Sequence, residues 1–68
     1  MRLVGTVEQD EDGILVVQCR AVPGCISQGR TEAEALANIR EAIRACLDVR
    51  AEQGMPLTVE TRDIDIAV

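Results

Sequence analysis

The sequence has no phenylalanine, tyrosine or tryptophan among its 68 residues, and neither histidine nor lysine. Each absence narrows what the chain can be. Aromatic side chains bury roughly 150–250 Å² apiece, so without them the core has to be assembled from Val, Ile, Leu, Ala and Cys. A domain this short already buries only about 60 % of the surface its unfolded form exposes. Small scaffolds of this kind draw extra stability from disulfides, a metal or association. Three cysteines, Cys19, Cys25 and Cys46, are odd in number and form no CxxC pair, and the usual nitrogen ligands are missing. Buried free thiols in a reducing cytoplasm are therefore expected, and association, at least as a homodimer, is left as the stabilising device.

The missing bases exclude more. A nucleophilic Ser, Thr or Cys needs a neighbouring His or Lys to take its proton, so no catalytic residue, no cofactor and no enzymatic activity are expected. Asp10, Glu11 and Asp12 cluster like oxygen ligands for a hard cation. A calcium loop of the EF-hand kind, however, needs ligands out to a Glu at its twelfth position, and that position, counted from Asp10, is Ala21. No metal site is assigned. The longest unbroken apolar run, Ile14 to Val17, falls far short of the ~20 residues that cross a bilayer. The first residues, interrupted by Gly5 and Glu8, do not resemble a signal peptide. A single cytoplasmic domain over residues 1–68, without membrane contact, is the expectation.

What is present begins with charge. Twelve acidic residues face seven arginines, for a net charge of −5. That balance repels phosphate backbones, so direct nucleic-acid binding is not expected; it suits a basic protein partner. Leu3 to Glu8 reads as a first strand and Ile14 to Cys19 as its return. Between them, Asp10-Glu11-Asp12-Gly13 has the chemistry of a hairpin connection, with Gly13 at a positive φ. The apolar run Ile14-Leu15-Val16-Val17 implies a central strand covered on both faces. Pro23-Gly24 breaks the pattern, and Cys25 to Gln28 is a short third strand ended by Gly29.

Thr31-Glu32-Ala33-Glu34 is a capping box, Thr31 accepting the Glu34 N–H and Glu34 reaching back to the Thr31 N–H. A helix should follow from Glu32 to Gln53, with Ala35, Leu36, Ile39, Ala42, Ile43, Cys46 and Leu47 on one apolar face. Gly54 fits the C′ position and Pro56 stops continuation. In the tail, Leu57 and Val59 share one parity while Ile64, Ile66 and Val68 share the other. An uninterrupted strand would send the two groups to opposite faces. Asp63-Ile64-Asp65-Ile66 is itself patterned as a half-buried strand, one that reaches the sheet edge or a neighbouring subunit. The order is β-β-β-α-β, an α+β fold with one covering helix and a sheet face left open to a partner.

The run from Val22 through Pro23-Gly24-Cys25, Gly29, Thr31, Glu34-Ala35 to Glu41-Ala42-Ile43 resembles the HicB antitoxin family, whose N-terminal domain carries a PGC-x-x-x-G-x-T-x-x-E-A block followed by E-A-I. The acidic hairpin ending in Gly13 matches as well, so the likeness spans about residues 2 to 66. It implies a partly degraded ribonuclease H-like fold with sheet order 3-2-1-4, assembly as dimers or tetramers, and a partner, a small basic RNA-cleaving toxin of the HicA type that the antitoxin binds and occludes. Many members add a C-terminal DNA-binding domain; this chain stops at Val68, so none is expected here. The signature residues Gly13, Pro23, Gly24, Gly29, Thr31, Glu34, Ala35, Glu41 and Ala42 read as structural. Partner contacts are sought instead on the exposed acids Glu8, Asp10, Glu11 and Asp12. Two other functions compete: a solitary oligomeric protein-binding module without a toxin, and a residual metal-dependent nuclease. The nuclease is disfavoured because the first strand has no carboxylate before Glu8, where such a site needs its leading ligand.

Overall fold

The computed structural model describes residues 1–67, and Val68, read above with the tail strand, lies outside them. Strands β1 (Gly5–Gln9) and β2 (Leu15–Cys19) form a hairpin, β3 (Cys25–Gly29) adds antiparallel to β2, and helix α1 (Glu32–Glu52) follows. The sheet order is β1-β2-β3. The first turn is built by Asp10. Its Oδ1 accepts the N–H groups of Asp12 and Ile14, each at 2.9 Å, while its backbone exchanges bonds with Gly13 and Ile14. Gly13 sits at φ 82°, as the hairpin reading required. The second turn closes when the Cys25 N–H donates to the Val22 carbonyl at 3.2 Å. Pro23 and Gly24 occupy its centre, Gly24 at φ 77°, the combination a type II turn demands.

Helix α1 begins and ends where its chemistry says it should. Thr31 is the N-cap, extended at φ −124° and ψ 161°, and its Oγ1 accepts the Glu34 N–H at 3.1 Å. Only this half of the capping box forms; among the described residues the Glu34 carboxylate does not return to Thr31. At the other end Gln53 is the C-cap and Gly54, at φ 69°, is C′. Gly54 N–H donates to the Ala51 carbonyl and Met55 N–H to the Arg50 carbonyl, the paired bonds of a Schellman motif.

Register decides the faces. Pairing Gly5 with Cys19, Val7 with Val17 and Gln9 with Leu15, and Cys19 with Cys25, Val17 with Ser27 and Leu15 with Gly29, puts all of these on one side of the sheet. The helix covers that side, resting chiefly on β3 and less on β2. The core is Val17, Cys19, Val22, Cys25, Ala35 and Ile39, with Leu3, Leu15, Leu36, Ala42, Ile43, Cys46 and Leu47 packed around it. The opposite side carries Thr6, Glu8, Val16, Gln18, Ile26 and Gln28. It is largely polar, so the expectation that β2 is covered on both faces is corrected: Val16 is half-buried and Gln18 exposed. Apart from Ile26, 56 % exposed on that polar side, the uncovered apolar surface lies on the helix side, over β1.

The α+β class and the strand-strand-strand-helix order are as expected. A fourth strand is not formed among the described residues. The expected order 3-2-1-4 is therefore met only in its first three members. The tail is tethered where Arg50 Nε donates to the Pro56 carbonyl and the Val59 N–H to the Ala21 carbonyl, and Leu57 and Val59 are 41 % and 39 % exposed. Ile64 and Ile66, of opposite parity, are 80 % and 75 % exposed and touch no sheet. The radius of gyration is 13.5 Å, against about 11 Å for a compact chain of this length.

Candidate partner-binding surfaces

Two surfaces and one buried cluster hold the chemistry of the chain. The first surface is the hairpin of β1 and β2. Glu8, Asp10, Glu11 and Asp12 are all exposed there, brought together by the tight turn. They are not equivalent. The Asp10 carboxylate is occupied by two backbone N–H groups and shapes the loop. Glu8, Glu11 and Asp12 make no side-chain bond among the described residues and are available to a partner; Glu8 projects from the polar side of the sheet. Asp12 and Glu11 cap the turn itself. Among the described residues no group of three or more His, Cys, Asp or Glu side chains is arranged to hold a metal ion. Among the described residues no helix is long and apolar enough to cross a membrane.

The second surface is a groove of about 630 Å³ between α1 and the β1 side of the sheet. Leu36, Ile39, Ile43 and Leu47 form its helical wall, and Leu3, Gly5 and Val17 its floor. Arg2, Arg40, Arg44 and Asp48 rim it. The groove exists because α1 sits off-centre, over β3. Two features hold it there. Gly29 lets the first helical turn approach to contact: an added Cβ would lie 2.5 Å from the Ala35 nitrogen and 2.9 Å from its Cα. Asn38 Nδ2 donates to the Gln28 carbonyl at 2.8 Å, pinning the helix to β3. Neither role is one of φ: Gly29 is needed for space alone.

The buried cluster is formed by the cysteines, all free, with one each from β2, β3 and α1. Burial pushes the Cys25 thiol from the ordinary 9.0 up to about 11. A hydrogen bond with Cys46, and the charge that Cys46 and Cys19 would bring if ionised, add to the shift. A thiol so raised is neutral near pH 7 and a poor nucleophile, which makes Cys25 a packing group.

Most of the signature residues fall in the two turns, the helix cap and the contact of helix with sheet. Gly13, Pro23 and Gly24 make the two turns, Thr31 and Glu34 the helix cap, and Gly29 and Ala35 the close contact, with Ala35 fully buried. Ala42 is half-buried on the apolar face, whereas Glu41 is exposed on the other. Asn38 and the arginine rim of the groove were not singled out by sequence reasoning. Position 38 gives no such signal, but Arg40 and Arg44, one turn apart beside Leu36, Ile43 and Leu47, mark a basic edge along an apolar stripe.

The family described as "HicB_like antitoxin of bacterial toxin-antitoxin system" matches residues 4–68. A UPF0150 protein of Thermoplasma acidophilum is 50 % identical over 48 residues, covering 71 % of this chain and 70 % of that protein. A UPF0150 protein of Synechocystis is 45 % identical over 62 % of this chain and 61 % of its own length. One from Archaeoglobus fulgidus is 36 % identical over 94 % of this chain and 96 % of its own. No solved structure matches significantly. With a match that runs from the first strand through the tail, the chain belongs to the HicB-like antitoxin family of bacterial toxin–antitoxin systems.

Proposed function

We propose that the chain neutralises a small basic RNA-cleaving toxin of the HicA type by binding it and covering its RNA-binding and catalytic surface. The family match over residues 4–68 carries this reading. The charge supports it: a net −5 attracts a basic protein and repels its RNA substrate. Glu8, Glu11 and Asp12 are the free carboxylates of the hairpin and the contacts assigned to the toxin, with Asp10 holding them in place. The chain works as a single domain, in the cytoplasm where the RNA is, as a homo-oligomer and through protein contact, without binding nucleic acid itself.

Co-expression tests the proposal. The chain should restore growth of cells carrying a HicA-type toxin encoded beside it, and should co-purify with that toxin. The triple reversal Glu8→Lys, Glu11→Lys, Asp12→Lys should lose both effects while keeping the wild-type circular dichroism. Growth arrest unrelieved by the wild-type chain would overturn the proposal. Undiminished binding by the triple variant would move the contact away from the hairpin.

A further inference from the structure

The three thiols differ in how far they lie from water. Cys46, on α1, is half-buried and lines a second hollow, of about 280 Å³, with Pro23, Ala45, Val49 and Arg50. Cys25, on β3, is buried and shares a hydrogen bond with Cys46. Cys19, on β2, is buried too and stands directly opposite Cys25 in the sheet register. A reagent of a few atoms arriving from solvent therefore meets Cys46 first. Arg50 commits its Nε to the Pro56 carbonyl, and a guanidinium has further N–H donors with which to hold a small oxygen-bearing reagent in the hollow.

Packing alone accounts for Cys19, but a reachable sulfur in hydrogen-bond contact with a buried one is also a dithiol. The two sit on α1 and β3, the pair of elements that the fold presses together most closely. Their sulfurs need only a short approach to reach the ~2.05 Å of a disulfide. Cys19 and Cys25 face each other as well, yet neither of these two is open to an oxidant.

We propose that Cys46 and Cys25 form a reversible, peroxide-responsive dithiol, Cys46 taking the oxidant and Cys25 closing a disulfide that staples α1 to β3. In the first step the O–O bond of hydrogen peroxide breaks as the Cys46 sulfur takes one oxygen, giving a sulfenic acid and one water. The Cys25 sulfur then displaces that hydroxyl, which leaves with the Cys25 proton as a second water, and the S–S bond forms. Two electrons pass from the two thiols to one peroxide. Reduced Cys25 is a poor nucleophile, but two causes that hold its proton, the hydrogen bond and the charge of Cys46, belong to the reduced Cys46 and go with it. The bond closes a loop over residues 26–45 and so restricts the unfolded chain. It does not rest on the toxin reading, since it concerns purified protein alone.

Tryptic mapping without reductant reads the bond directly. Cleavage after Arg2, Arg20, Arg30, Arg44 and Arg50 puts Cys19, Cys25 and Cys46 on separate peptides, 3–20, 21–30 and 45–50. Stoichiometric hydrogen peroxide should join 21–30 to 45–50, leave Cys19 free for alkylation in denaturant, and be reversed by dithiothreitol. The oxidised protein should unfold at a urea midpoint higher by about 2 M or more. Cys46→Ser should show neither change at the same exposure to peroxide. A link between 3–20 and 21–30, a link between two copies of 45–50, or a Cys46 oxidised further while Cys25 stays free overturns the proposal. So does a midpoint that fails to rise in the linked protein, or a Cys46→Ser chain whose Cys25 is oxidised as fast as the wild type's.

Discussion

Replacing Gly29 by alanine should be the most damaging methyl group that can be added to this chain. The new Cβ would lie 2.5 Å from the Ala35 nitrogen, 2.9 Å from the Ala35 Cα and 2.9 Å from the Glu34 carbonyl carbon. All three are backbone atoms, so no side chain can swing aside. Ordinary contact needs about 3.5–4.0 Å, and the first turn of α1 has to move off β3 by about 1 Å. A gap of that size forfeits roughly a quarter to a half of each contact it opens. It would also stretch the 2.8 Å bond from Asn38 to Gln28. Overpacking costs about 1–3 kcal/mol and a weakened hydrogen bond about 0.5–1.5 kcal/mol, giving a loss of about 2–4 kcal/mol. At about 0.05–0.15 kcal/mol per residue the whole domain is stable by about 3–10 kcal/mol, so the variant gives up about a fifth or more. Urea unfolding followed by far-ultraviolet circular dichroism, at one fixed protomer concentration, should show the midpoint falling by about 2 M or more for a slope of about 1 kcal/mol/M.

Gly24 is the internal control. Its φ is 77° but nothing lies within 4 Å of its added Cβ, so alanine there carries only the left-handed backbone cost of about 1–2 kcal/mol. Asparagine, which tolerates that region, should recover much of the loss at Gly24 and none at Gly29. If Gly29→Ala costs less than Gly24→Ala, or if asparagine is tolerated equally at both, the close-approach argument is wrong.

Other expectations follow from single contacts. Asn38→Ala should cost about 1 kcal/mol in the same urea assay, with Asn38→Asp no better, because the amide is the donor. Thr31→Ala should cost about 0.5–2 kcal/mol. Glu34→Gln should cost no more than the few tenths of a kcal/mol expected of an exposed charge near a helix N-terminus, since its carboxylate returns no bond to the cap. The Cys25 thiol, raised from 9.0 to about 11 in the fold, holds its proton longer folded than unfolded. Its contribution to stability is therefore complete below pH 9 and drains away as pH rises to about 11. Urea midpoints should decline across that window, and the decline should shrink in Cys46→Ala, which removes both the hydrogen bond and the charge that Cys46 brings to the shift.

Much of the fold was legible because its signals are local. Thr31 and Gly54 bracket the helix to within a residue of its observed end, and Asp10, Gly13, Pro23 and Gly24 place both turns. What was misread depends on distant parts of the chain. The run Ile14 to Val17 cannot reveal that α1 leans towards β3, leaving Val16 on a largely polar face and an apolar gap over β1. The pattern Asp63 to Ile66 shows strand character, but a strand also needs an edge to join, and pattern does not show which edge is within reach. On the candidate site, charge alone grouped Asp10 with Glu8, Glu11 and Asp12. Only the loop geometry separates the carboxylate that builds the turn from those left for a partner.

The three thiols also furnish a clock. Three elements around the core, β2, β3 and α1, contribute one each, and Cys19 and Cys25 are almost wholly enclosed. An alkylating reagent reaches them only during transient openings, so labelling rates divided by the rate for a free thiol give the fraction of time each enclosure is open. A chain without tryptophan or tyrosine has almost no intrinsic fluorescence to follow. Its sulfur atoms can report instead, position by position, which part of the core lets go first.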